Sequence, residues 1–82
     1  MDDSRDLIRR LIRQILEKNN DTRGFADTDS LIFSGRFQSL DVLEIVLFLE
    51  ERFSLNFSEG LDQTRLDSVE EILNLLESSA AY

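Results

Sequence analysis

Between Leu40 and Glu51 every residue is either apolar or acidic, and this run constrains the chain more than any other. Leu40, Leu43, Ile45, Val46, Leu47, Phe48 and Leu49 recur at helical spacing, with Ser39 at the start and Phe53 closing the run. The apolar arc is wider than one buried helix face requires. Leu40, Ile45, Val46, Leu49 and Phe53 are expected to face inward together. Leu43 and Leu47, four apart, then share a flank beside Asp41, Glu44, Glu50 and Glu51. An apolar pair ringed by carboxylates suits a partner surface with a hydrophobic groove and basic edges. The competing reading is a small core that uses both flanks.

Two further stretches carry the same period. Leu7, Ile8, Leu11, Ile12, Ile15 and Leu16 form one broad stripe over residues 4–18, with Asp3 or Ser4 to cap it and Asn19-Asn20 to end it. Arg5, Arg9, Arg10 and Arg13 take its outer face. A basic amphipathic helix can lie on a membrane, but these arginines alternate with acids and the core needs the apolar face. The last helix is announced by Ser68 and Glu71, which have capping-box spacing, before Val69, Ile72, Leu73, Leu75 and Leu76. Residues 78–82 are expected to fray.

Between the first two helices, residues 19–38 show no sustained period, so a long ordered loop is expected. Phe25, Leu31, Ile32, Phe33 and Phe37 would anchor it, with a short turn near Asp29–Ile32. The Asp-Thr-Asp-Ser run at 27–30 lacks the ligand spacing and turn glycine of an EF-hand and reads as a capped turn. A weak single turn of helix is expected within 58–64, lowered in stability by Gly60. The fold class is therefore all-α: a small bundle of three main helices, a short helix before the last, and a long first loop. With 82 residues and no boundary signals, residues 1–82 read as one domain, burying on the order of 60–65% of the unfolded surface.

Composition removes most enzyme classes. There is no Cys and no His, so disulfides, thiolate metal sites and the usual general base are all missing. No apolar run reaches the roughly 20 residues that span a bilayer, and MDDSRD lacks a signal-peptide pattern, so a cytoplasmic monomer is expected. Net charge is −8, unevenly spread: residues 1–24 hold six Lys/Arg against five Asp/Glu, and residues 25–82 hold three against twelve. Such a field repels nucleic acid and attracts basic protein surfaces.

Ser39 is the one candidate chemical handle. Three residues after it stands Val42, so no capping box forms on it, and a hydroxyl at a helix N-terminus lies in positive potential that favours an attached phosphate. By itself such a serine reads first as a helix cap. The stretch Ser34-Gly35-Arg36-Phe37-Gln38-Ser39-Leu40-Asp41-Val42, with Glu44-Ile45-Val46 and Leu49-Glu50-Glu51-Arg52-Phe53, resembles the acyl carrier protein family. Members carry an Asp-Ser-Leu core followed by an acidic helix ending in Glu-Glu-x-Phe. The order of helices and loops fits along the whole chain. Two positions depart from the pattern: Gln38 replaces the Asp before the serine, and Ser54 stands where many members have Gly.

The resemblance implies that a phosphopantetheinyl transferase, using coenzyme A and magnesium, attaches 4′-phosphopantetheine to Ser39. The arm would hold an acyl or aminoacyl group as a thioester in lipid (including fatty acid), polyketide or related biosynthesis, with the carrier itself catalysing nothing. It also implies that Asp41, Leu43, Glu44, Leu47 and Glu51 form the face recognised by acyl-transferring or ligating enzymes with basic docking surfaces. The alternative is a carrier-like chain that is never modified and acts as an acidic protein–protein adaptor. A hydrolase using Ser39 has neither a histidine nor a Gly-x-Ser-x-Gly elbow.

Overall fold

A computed structural model describes residues 2–57 and 60–80, with side chains at 4–57 and 60–78. Three α-helices, α1 (Asp2–Lys18), α2 (Ser39–Phe53) and α3 (Val69–Ala80), are joined by the long loop and by a 3-10 helix at Gln63–Leu66. No strand occurs among the described residues. The fold is the expected all-helical bundle. Among the described residues no helix is long and apolar enough to cross a membrane.

Each helix end has a local cause. At the end of α1, Asn20 takes the left-handed conformation (φ 62°), and the Asp21 N–H folds back onto the Leu16 carbonyl at 2.7 Å. Asn tolerates that conformation better than most residues, as a C-terminal stop requires. At the end of α2, Ser54 is likewise left-handed (φ 56°, ψ 40°), its N–H and that of Leu55 both directed at the Glu50 carbonyl. That conformation favours glycine, a physical reason for the glycine many carrier proteins place there. Ser68 caps α3 through its Oγ, which accepts from the Glu71 N–H at 3.1 Å. At its start α1 already runs from Asp2, so Ser4 lies inside the first turn instead of capping it. The α3 backbone stays helical through residues 78–80, and residues 81 and 82, also expected to fray, lie outside the described residues.

The short helix forms later than expected. The sequence suggested residues 58–64, of which 58 and 59 lie outside the described residues. Gly60 adopts φ 108°, incompatible with a helix, and the turn starts only after Asp62. The Asp62 carboxylate accepts from the Thr64 N–H and hydroxyl at 2.9 and 2.8 Å, fixing the start at Gln63.

The core draws on every element. Ile8, Leu11, Ile12, Ile15 and Leu16 of α1 meet Val42, Ile45 and Leu49 of α2, Leu66, and Val69, Ile72 and Leu75 of α3. The long loop contributes Leu31 and Phe37, with Phe25 and Ile32 packed at the margin. Phe33, expected to anchor the loop, is instead 69% exposed. Turns close at Ala26–Asp29 and Ile32–Gly35, on either side of the expected one. The run at 27–30 is the capped turn expected, since Asp29 accepts from the Ala26 N–H at 2.8 Å while Asp27 takes ion pairs from Arg5 and Arg9.

Asp67 ties this loop to the start of α3. Its Oδ1 accepts from the Ser30 hydroxyl and the backbone N–H groups of Leu31, Ile32 and Phe33 at 2.8–3.2 Å. Burial works to raise its pKa, but the hydroxyl and three amides outweigh it and hold the carboxyl below its ordinary 3.8. A depressed folded-state pKa gives stability that is complete above the ordinary value and is lost as pH falls through the folded one. Replacing Asp67 by Asn is therefore expected to cost about 1–3 kcal/mol at neutral pH. Thermal melts from pH 7 to pH 3 should show the difference between wild type and variant shrinking toward the acid end.

Candidate functional site

The helix α2 starts at Ser39, as the sequence suggests, but the residue that caps it is not that serine. Gln38, in extended conformation (φ −97°, ψ 170°), is the capping residue, and Ser39 is the first helical one. Asp41, three residues after Gln38, supplies the reciprocal bond: its Oδ2 accepts from the Gln38 N–H at 2.8 Å. The same oxygen accepts from Asn19 Nδ2 at 2.7 Å, joining the end of α1 to the beginning of α2. Ser39 is exposed, and no hydrogen bond engages its hydroxyl among the described residues. The cap is made without it.

Asp41 thereby leaves the recognition face to which the resemblance assigned it. Only 4% exposed, it is a buried acceptor of two internal hydrogen bonds. The other expected members, Leu43, Glu44, Leu47 and Glu51, are all exposed. They sit on one side of the helix with Leu40, which the sequence placed inward but which is 75% exposed.

A helix turns 100° per residue, which explains the arrangement. Leu40, Leu43 and Leu47 repeat at i, i+3 and i+7, and so do Val42, Ile45 and Leu49. The two sets are offset by two residues, or 200°, and must lie on opposite faces. Val42, Ile45 and Leu49 enter the core, while Leu43 (51%) and Leu47 (56%) stay in solvent with Leu40. Scattered exposed leucines are ordinary, but Leu40, Leu43 and Leu47 line up over about two turns of one helix. Phe33, on the loop leading into α2, is the fourth large apolar side chain left exposed among the described residues. Leu40 could have been placed from this offset; nothing in the local sequence marks Phe33.

Electrostatics divide the acids of this face. Glu44 reaches across to Lys18, whose ammonium is held protonated above its ordinary range, first by that hydrogen bond. Glu51 has no cationic partner among the described residues.

Beside the cap lies an open polar groove of about 450 Å³ lined by Asn19, Asn20, Asp21, Arg23, Arg36 and Gln38, among others. Asp21 accepts from both arginines: Arg23 Nε at 3.0 Å and Arg36 Nε at 2.8 Å. Those bonds, Arg23's first, push its pKa far below the usual carboxylate range. Arg36 also donates to the carbonyls of Gly24 and Arg23 at 3.1 and 3.0 Å, locking the loop in front of α2.

Truncating Asp41 to Ala should strand the Gln38 N–H and the Asn19 amide, at a cost of about 1–3 kcal/mol. In a domain this small that is a melting temperature lower by roughly 5–15 °C. Glu51→Ala, measured alongside in the same melts, should move stability by no more than about 0.5 kcal/mol.

Comparison of the chain with protein-family models, with curated proteins and with solved structures finds no match in any of the three.

Proposed function

We propose that this protein is an acyl carrier, with Ser39 as the attachment oxygen for 4′-phosphopantetheine and the exposed face of α2 as its docking surface. The observation that carries the reading is the pairing of an exposed, unengaged serine at the first residue of α2 with the leucine stripe that follows on the same helix. A serine that capped its helix would explain itself; this one does not, because the Gln38 N–H and Asp41 carboxylate close the turn.

The residues present fit such an arm. The Ser39 hydroxyl is open to an enzyme, and the amides of the first turn and the helix dipole favour a phosphate on it. Asp41 holds the helix start in place, so the attachment point is presented by a fixed turn. The arm, when bound, supplies the thiol that a chain without Cys lacks, and its thioester is an activated carbonyl for partner enzymes. Leu40, Leu43 and Leu47 offer the partner a desolvated centre, while Glu51 and the shared Glu44 set a carboxylate rim. Basic partner surfaces are the complement of this rim.

A second reading rests on the stripe alone. The exposed leucines would serve an unmodified acidic adaptor equally well, because a docking surface needs no arm.

Intact mass after co-expression with a broad-specificity phosphopantetheinyl transferase separates the two. The carrier reading predicts one phosphopantetheinyl adduct on the wild type and none on Ser39→Ala. Wild type that stays unmodified would leave the adaptor. Leu47→Ala, which removes a central contact, and Glu51→Lys, which reverses a rim charge against a basic surface, should each slow modification by about 5- to 30-fold, equivalent to ~1–2 kcal/mol, with far-UV circular dichroism unchanged. Undiminished rates in both variants would remove the stripe from the transferase interface.

A further inference from the structure

The polar groove in front of α2 is accounted for by neither the core nor the leucine stripe. It is lined by the α1 C-terminus, the loop and Gln38, the residue that precedes Ser39 in the chain. Its volume of about 450 Å³ lies within the roughly 300–1,000 Å³ range of small-ligand sites. Its charge differs from that of the protein as a whole. Among its lining residues two guanidiniums, Arg23 and Arg36, share the single Asp21 carboxylate, in a chain of net charge −8, and the Asp41 carboxylate behind Asn19 and Gln38 is only 4% exposed.

Donors and acceptors line the rest. Arg23 Nη1 has no partner among the described residues, and the Asn20 and Gln38 side chains are exposed on the groove. Asn19 spends its amide nitrogen on Asp41 and keeps its oxygen. An occupant would be anionic at one end, amide-bearing along its length, and attached or delivered next to Gln38. The leucine stripe offers no such partners.

We infer that this groove receives the phosphopantetheine arm when no partner enzyme is bound, with Arg23 and Gln38 as the residues that retain it. The inference rests on the carrier reading. An arm on Ser39 begins with a phosphodiester and continues through two amides, which suits the free Arg23 Nη1 and the exposed amide side chains of Asn20 and Gln38. The departure at Gln38 gains a purpose. An aspartate there would add a second carboxylate to the groove lining and face the phosphate with a like charge, whereas the glutamine adds a donor and an acceptor. An arm held against the loop also leaves Leu40, Leu43 and Leu47 uncovered, so docking and retention use separate surfaces.

The experiment compares apo and modified protein, with intact mass recorded first to establish that the arm is present. In amide-resolved NMR, modification is expected to shift Asn19, Asn20, Asp21, Arg23 and Gly35 while leaving Leu43 and Leu47 in place. The arm's thiol should react with a maleimide about three times more slowly than free pantetheine, which corresponds to an arm held in the groove about two-thirds of the time. In the modified forms of Arg23→Gln and Gln38→Asp, the groove amides should return toward their apo positions and the thiol should regain the free rate. An adduct without groove shifts, or with shifts confined to the leucine stripe, would overturn the inference and leave the carrier reading standing. No adduct on the wild type would overturn the carrier reading and, with it, the occupant assigned to the groove.

Discussion

One buried carboxylate sets the geometry on which the rest of the site depends. Asp41 Oδ2 accepts from both the Gln38 N–H and the Asn19 amide, so a single atom fixes where α2 begins and how the end of α1 meets it. The α1 C-terminus thus lies at the α2 N-terminus, and the opposite ends meet where Leu7 and Arg10 face Arg52 and Phe53. The two helices run antiparallel, with Lys18 and Glu44 adding an ion pair near the same corner. Because Asp41 closes the first turn, Ser39 is released from the role a serine at a helix start usually fills. A capping contact and an exposed hydroxyl, which would compete for one side chain, are divided between two.

The second constraint is the phase of α2. Its two apolar stripes are 200° apart, and a bundle of this size can cover only one of them. Val42, Ile45 and Leu49 take the core, and Leu40, Leu43 and Leu47 are left to water. A helix serving its fold alone would carry polar residues on that outer face. Keeping three leucines there sacrifices solubility, and the acids beside them and the net charge of −8 offset that tendency toward association. The proposed docking surface follows from this imbalance without reference to any family.

How much of this was legible depended on the period of each segment. All three helices were marked by runs long enough for the 3.6-residue repeat to be unambiguous, and Asn19-Asn20 and Ser68 located two of the ends. The α2 start at Ser39 is legible, but its cap is not, because Gln38 is a poor cap by type; Asp41, reaching back, makes it serve. Asp41 was read as a surface acid for the same reason, since its burial depends on Asn19, twenty-two residues away. Leu40 was assigned inward because the apolar arc is wide, although the two-residue offset from Val42 already separated the stripes. The 3-10 helix moved because Asp62, not the apolar pattern, nucleates it. Asp67's hold on three loop amides leaves no sequence signature, and neither does the exposure of Phe33.

The proposed function has one most direct test: the intact mass of the protein isolated from its own cells, with fragmentation to locate any adduct. The carrier account predicts a phosphopantetheinyl group, with or without cargo on its thiol, on the peptide that contains Ser39. A protein recovered wholly at its unmodified mass, or carrying the group on another residue, would contradict it.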